Sequence, residues 1–271
     1  MEVKFFCPRW GCEDMPWDDF LLKIKSAGFA GVECAIANEA THAELSEIWE
    51  KLDKHGLEII PQHYGTYDAD YNRHHDTFAA WFEKIRPFSA LKIDCQTGKD
   101  FFSFEQNKAL IDLSVGYTQS TGVEVYHETH RNKFAFAAHI TKEYLRQIPY
   151  LKITLDASHW VNVAESYLED QQEAMELAIS RTEHIHARVG YPEGPQVPDP
   201  RVPEWQEAVE HHLAWWDKVA ARKKQENALL TITPEFGPFP YMVPMPFTRQ
   251  PITSQWDVNV HMMQLLKERY Q

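Results

Sequence analysis

Short apolar or β-branched runs recur along the chain. They fall near Val3–Pro8, Gly31–Ala35, Glu58–His63, Leu91–Cys95, Val123–His130, Lys152–His159, His184–Val189 and Leu230–Phe236, and each reads as a strand. Several intervening segments carry helical period. Leu45, Ile48, Trp49 and Leu52 are spaced i, i+3, i+4, i+7, with Gly56 placed to stop the helix. Ala109, Leu110 and Leu113 recur before Gly122, and Phe134, Ala137, Ile140 and Leu145 before Pro149. Trp205, Val209, Leu213 and Trp216 recur before the last strand. Strands alternating with helices over residues 1–271 predict an α/β fold, a single (β/α)8 barrel domain. An open, doubly wound sheet is the alternative, but no glycine-rich phosphate fingerprint follows the first strand.

Strand parity sharpens the expectation, because successive side chains point to opposite faces. If Glu128 faces in, Glu124 and Tyr126 do too, and Val123 and Val125 face the helices. Asp156 inward brings Lys152 and Thr154 with it, and sends Ile153 and Leu155 out. His184, His186 and Arg188 oppose Ile185 and Val189, and Thr231, Thr233 and Glu235 oppose Leu230, Ile232 and Phe236. A half-buried antiparallel sheet would show the same alternation. The helices between the strands favour parallel crossovers. Charges deep in such a barrel need partners. Glu124 is therefore expected to pair with Lys152 on the barrel floor, with Lys92 joining them.

Composition narrows the class of function. Of 271 residues 44% are hydrophobic, which is ordinary for a globular chain. The formal net charge of -13, with no long basic run, argues against nucleic acid or an anionic membrane as partner. Cys7, Cys12, Cys34 and Cys95 lack metal-binding spacing and read as small buried hydrophobes. No apolar stretch approaches the ~20 residues of a membrane span. Met1-Glu2-Val3-Lys4 leads straight into a strand rather than a signal peptide, so a cytoplasmic protein is expected.

The candidate chemistry lies at four strand ends. The motifs are Tyr126-His127-Glu128-Thr129-His130, Leu155-Asp156-Ala157-Ser158-His159, His184-Ile185-His186-Ala187-Arg188 and Thr233-Pro234-Glu235-Phe236-Gly237. Singly, a strand-end acid or histidine is commonplace. On four consecutive strands with matching parity, Glu128, Asp156, His186 and Glu235 form a mixed oxygen and nitrogen donor set. Such a set suits one divalent ion, Mn, Mg, Zn or Co, rather than a thiolate-selected metal.

This set resembles that of the xylose isomerase-like TIM barrels, the group of sugar isomerases, epimerases and endonuclease IV. The resemblance rests on Glu128 in His-Glu-Thr-His, Asp156 and His159 in Asp-Ala-Ser-His, His186 in His-Ile-His and Glu235 in Pro-Glu-Phe. It spans the chain as a strand pattern, with few diagnostic residues in the first half. The ketose 3-epimerase branch implies that Glu128, Asp156, His186 and Glu235 bind one divalent metal. It also implies that Glu128 and Glu235 are the catalytic acid and base. His159 then matches a substrate contact by motif, and Arg188 by parity alone.

The physics agrees with that assignment. A proton alpha to a carbonyl is too weakly acidic to leave unaided. A metal that chelates the carbonyl and a neighbouring hydroxyl stabilises the enediolate. Carboxylates on either side can then remove and return the proton. Proton return to the same carbon epimerises, and return to its neighbour isomerises. Alternatively, both carboxylates act only as ligands.

Other residues remain open. His63 is a substrate contact, a second metal ligand or a structural histidine, facing inward if Ile59 and Pro61 do. His130 shares parity with Glu128 and belongs at the rim. Trp10, Phe6 and Tyr64 form either a sugar-stacking wall or ordinary packing. Arg131 is an anion contact or a solvated loop residue. His74-His75 and His211-His212 read as surface pairs. The trinuclear zinc nucleases need further histidines that are missing here. Arg201 stands in Asp199-Pro200-Arg201 where Asp-x-His is required, and Asp94-Cys95-Gln96 closes the fourth strand without histidine. Arg201 could instead hold a substrate phosphate or carboxylate. Two proline-rich loops, 191–205 and 237–251, are expected to wall the site or reach a neighbouring subunit. A metal-dependent isomerase or epimerase acting on a small carbohydrate-like molecule is expected, compatible with a homo-oligomer. An inosose-type dehydratase and a non-catalytic sugar-binding barrel are the alternatives.

Overall fold

The computed structural model describes residues 1–271. Eight parallel strands close into a barrel in chain order. They are β1 (Val3–Pro8), β2 (Gly31–Ala35), β3 (Glu58–His63), β4 (Ile93–Cys95), β5 (Val125–Glu128), β6 (Ile153–Leu155), β7 (Thr182–His186) and β8 (Leu230–Thr233). β1 pairs with both β2 and β8, which seals the ring. The outer layer holds α1 (Trp17–Ala27), α2 (His42–His55), α3 (Tyr71–Ile85), α4 (Phe104–Thr121) and α5 (Ala138–Gln147). It continues with α6 (Ala157–Ala164), α7 (Gln172–Arg181), α8 (Gln206–Gln225) and α9 (Gln255–Tyr270). The expected (β/α)8 barrel is therefore the fold. No helix is long and apolar enough to cross a membrane.

Local signals account for the helix boundaries. Thr41 and Ser103 open α2 and α4 with reciprocal capping boxes to Glu44 and Gln106. Gly56 ends α2 in the left-handed conformation, as its position predicted.

Strands β5 to β8 are shorter than the sequence pattern suggested, and β6 shows why. The Asp156 side chain accepts from the Ser158 backbone N–H at 3.0 Å and caps α6. An aspartate that caps a helix turns the chain out of the strand. His159, read above as part of a strand, therefore sits in the first turn of α6.

The apolar core lies between the barrel and its helices. Val32, Ile93, Ile153, Leu155, Ile185 and Ile232 face outward and join Phe20, Leu110, Trp216 and Met262 in one continuous cluster. The barrel interior is different. Phe6, Ile60 and Tyr126 are buried but lie apart from that cluster, and the Lys92 ammonium lies against the Tyr126 ring.

Two parity expectations need correction. His63 points out of the barrel. Its ring packs 4.9 Å from both Phe78 and Trp81 of α3, and its Nε2 lies 2.9 Å from the Thr66 hydroxyl. Both faces of β3 carry apolar residues, so alternation held no contrast there. Gln62, the neighbour, is the residue that faces in. The Glu124–Lys152 pair forms at 2.9 Å, but its side chains are 44% and 43% exposed. It lies at the open N-terminal edge rather than on a sealed floor. Lys92 does not join it. Its ammonium donates to Thr231 Oγ1 at 2.9 Å and to the Glu183 carbonyl at 3.3 Å, 4.7 Å from the Tyr126 ring.

Candidate metal and substrate site

The chain buries five carboxyl side chains, and all five line the barrel: Glu33, Asp94, Glu128, Asp156 and Glu235. Burying charge without compensation is costly. Arg188 beside Asp156 and Glu235, and His184 and His186 beside Glu33, supply part of the compensation.

Four donors meet at the C-terminal ends of β5 to β8. One ligand atom each from Glu128, Asp156, His186 and Glu235 lies within 4.8 Å of the others. His186 Nδ1 is 3.0 Å from Glu235 Oε2 and 3.6 Å from Glu128 Oε1. Both Glu128 oxygens are fully buried and accept no hydrogen bond. Two free carboxylate oxygens beside an imidazole nitrogen suit a hard or borderline divalent ion. Asp156 is more heavily engaged. Its Oδ1 takes Ser158 N–H and Oγ–H at 3.0 and 2.5 Å, and the Arg188 guanidinium bonds its Oδ2. The residues present thus fit a divalent ion, with Glu128 and His186 as the donors least committed elsewhere.

Behind these donors stand residues that the sequence pattern did not single out. Glu33 on β2 places Oε1 3.1 Å from His186 Nε2 and Oε2 3.1 Å from His184 Nε2. This leaves Nδ1 of His186 aimed at the carboxylates. A carboxylate behind a ligating histidine fixes its tautomer and orientation. Glu33, His184 and His186 also form a possible metal-ligand group of their own. Gln62 donates to Glu235 Oε1 and Asp94 Oδ2, both at 3.3 Å.

The electrostatics follow from burial and neighbours. Burial and then the facing Glu235 push the Glu128 carboxyl up to about 7. Burial also tends to raise Glu235, but His186 and Arg188 outweigh it and hold that carboxyl below its ordinary range. Burial raises Asp94 strongly. His186 is held well above the usual imidazole value: burial opposes its charge, but Glu235, Glu33 and Glu128 prevail. A metal-ligating imidazole must be unprotonated at its donor nitrogen, so metal uptake at His186 should be pH-dependent.

A cavity of about 410 Å³ opens above the donors. Glu128, Glu235, Gln62 and Arg188 form its base, and Trp10, Tyr64, Tyr67, His130, Lys133 and Tyr241 line its walls. Trp10 meets Tyr241 edge-on at 5.1 Å. A Cβ on Gly237 would come within 2.1 Å of the Trp10 indole, so only glycine leaves room for that ring. Tyr241 comes from the second proline-rich loop, its ring 4.7 Å from the Arg188 guanidinium and 5.1 Å from that of Arg131. Gln196 of the first loop bonds Gly237 N–H and C=O at 2.8 and 3.1 Å, which ties the two loops together over the mouth.

The other expected contacts divide. Trp10, His130 and Arg188 line the cavity. His159 is fully buried behind it, 2.8 Å from Arg188 and packed against His130 at 3.9 Å between centroids, the rings tilted by 53°. His63 stays in the helix layer, away from the cavity. Arg201 bonds Asp199 and Thr253 at the surface and takes no part in the mouth. His74 and His212 are buried rather than paired on the surface, His74 against Phe102 and His212 accepting from Gly190 N–H at 3.2 Å.

This barrel, with donors on the C-terminal ends of β5 to β8, matches solved structures over nearly its whole length. A probable 3-DHS dehydratase involved in petrobactin synthesis, from Bacillus anthracis, is 16% identical, with a TM-score of 0.59 and 99% of this chain and 100% of that one covered. A sugar phosphate isomerase/epimerase from Parabacteroides distasonis is 11% identical, with a TM-score of 0.59 and coverage of 98% and 93%. The chain shares with these neighbours the fold of a (β/α)8 TIM barrel. A family 2 AP endonuclease from Brucella melitensis aligns at 11% identity and a TM-score of 0.55, covering 87% and 93%. No protein-family model matches the chain, and no curated protein does. Neighbours with this barrel are enzymes, and identities this low speak for the fold alone.

Proposed function

We propose that this chain is a divalent-metal-dependent isomerase or epimerase that moves a proton alpha to the carbonyl of a small carbohydrate-like molecule. One observation carries the reading. Glu128 and Glu235 arrive from different strands, both face the same cavity, and their oxygens flank one imidazole nitrogen at 3.6 and 3.0 Å. A ligand seated between them presents one carbon to a carboxylate on each side.

Glu128, Asp156, His186 and Glu235 would hold the ion. When bound, it would polarise the substrate carbonyl and the adjacent hydroxyl. One of Glu128 and Glu235 takes the alpha proton, and the other returns one from the opposite side. Glu33 keeps His186 turned toward the carboxylates, and Gln62 holds Glu235 by one oxygen. Arg188 holds Asp156 and places a fixed cation next to Glu235, 3.6 Å away. Trp10 and Tyr241 cover the base and exclude water, which strengthens every charge interaction beneath them.

The test has two parts. Protein purified without chelator should carry one divalent ion per chain, and removing it should lower the melting temperature. With ketoses in deuterated water, deuterium should enter the carbon next to the carbonyl. Loss of water from the substrate in place of exchange would make the enzyme a dehydratase. A fully metallated protein that exchanges no proton with any polyhydroxylated ketone or ketoacid would refute the assignment.

A further inference from the structure

Six cationic side chains are buried: Arg9, Lys92, Lys99, Lys133, Arg188 and Lys223. Four have evident partners. Arg9 donates to the Glu13 and Met15 carbonyls, Lys92 to Thr231, Arg188 to Asp156, and Lys223 to Glu183. Lys133 is only 2% exposed, yet its ammonium has no hydrogen-bond partner. Lys99, 5% exposed, forms no ion pair that would share its charge with a carboxylate. Their ammonium groups lie 5.5 and 5.7 Å from the same Tyr67 ring. Arg9 and Lys92 also lack a carboxylate but are satisfied by carbonyls and a hydroxyl, so Lys133 stands apart as the buried ammonium with no hydrogen-bond acceptor.

Their position shows what they serve. Lys133 stands in the loop after β5 and lines the cavity wall with Tyr64, Tyr67, Gln96 and Asn132. Glu128 and Glu235 form the base of the same cavity. The cavity therefore carries Glu128, Glu235 and the Asp156-bound Arg188 at its base, and on one wall an ammonium with no hydrogen-bond partner. A buried ammonium is strongly disfavoured without a counter-charge, and a neutral hydroxyl does not supply one. Arg188 is already bonded to Asp156, so the free positive charge that attracts an anion is that of the lysine wall. That sets the orientation of any molecule with one anionic end.

We propose that Lys133, backed by Lys99, is the subsite for an anionic group on the substrate, a carboxylate or a phosphate, at the end remote from the reacting carbon. The proposal deepens the reading of the function given above and rests on it for which end reacts. The anion subsite would account for substrate choice: uncharged sugars would leave Lys133 unpaired and bind poorly.

The test is of binding, so it succeeds or fails separately from proton transfer and metal content. Inorganic phosphate and D-glycerate serve as probes in calorimetry and thermal melts, with wild type, K133M, K133R and K99Q. Wild type should bind at least one probe and melt higher in its presence. K133M should bind it at least tenfold more weakly, K99Q about threefold more weakly, and K133R within threefold of wild type. Without any anion, K133M should melt at or above wild type, because it removes an unpaired buried charge. Saturation by phosphate alone marks a phosphorylated substrate, and by glycerate alone a carboxylate. Failure of both probes to bind overturns the proposal. So does unaltered binding by K133M, or a K133M protein that does not fold, since the ammonium would then have a structural partner. One metal per chain with deuterium exchange intact, but no Lys133-dependent binding, would end this proposal and leave the enzyme assignment standing.

Discussion

Strands β5 to β8 present Glu128, Asp156, His186 and Glu235 to one point, whereas β2 to β4 present Glu33, Gln62 and Asp94 to the residues behind it. Under the proposed function the first set would hold the ion, while Glu33 and Gln62 bond to members of it. All of the carboxyls in both sets are buried, so burial does not separate the two roles. Glu128 and Glu33 differ in the partners each already has. Glu128 has two free oxygens, while Glu33 spends one on each of two histidines.

Substitutions should expose the difference. E128Q and E235Q are nearly isosteric and remove a proton carrier. Each should cut turnover by about 1,000-fold or more while the fold survives, as measured by steady-state rates and circular dichroism. E33Q should be milder, lowering metal affinity or activity by about 10- to 100-fold, as expected for a residue behind a ligating histidine. Its metal dissociation constant should rise together with a changed pH dependence of metal uptake. An E33Q protein as inactive as E235Q even at saturating metal would erase the distinction between the halves.

The next contrast sets the helix layer against the site. Burial, helped by Lys133 and His74, lowers His63 to about 3, and burial lowers His212 to about 4. Both are neutral when folded and titrate near 6.5 when unfolded. Below pH ~6.5 the unfolded chain binds more protons, so stability present at neutral pH is lost as the pH falls toward the folded values. By pH 5 each histidine should cost on the order of 2 kcal/mol, read as a drop in urea midpoint between pH 7.5 and 5. The variant H63Q should lessen that drop. A midpoint that does not move over this range would mean that water reaches these rings. The smallest effect is expected at the N-terminal edge. Breaking Glu124–Lys152 with K152M should change stability by less than about 1 kcal/mol, because both partners are well hydrated.

Legibility followed the same division. The donors of β5 to β8 stood out because each closes a run whose polar and apolar positions alternate cleanly, as with Thr231, Thr233 and Glu235 against Leu230 and Ile232. Glu33 in Gly-Val-Glu-Cys-Ala and Asp94 in Ile-Asp-Cys did carry a signal, a lone acid inside an apolar strand. Its meaning depended on which strands lie across the barrel, information that no local pattern holds. His63 went astray because apolar residues on both faces of β3 left the parity undefined. Tyr241 and Lys133 lay in loops, where periodicity gives no direction to a side chain.

By itself, the sequence determined the alternation of strands and helices, the inward face of the last four strands and the cluster of acids they carry. Those follow from rules reaching only a few residues along the chain: side-chain period, capping and turn chemistry. Only the closed barrel decided that Glu33 backs His186, that Gln62 bridges Asp94 and Glu235, and that Lys133 faces the cavity unpaired. Those contacts join residues 173 apart in the chain for Gln62 and Glu235 and 153 apart for Glu33 and His186. Their energies come from burial and counter-charge, which exist only once the ring has closed.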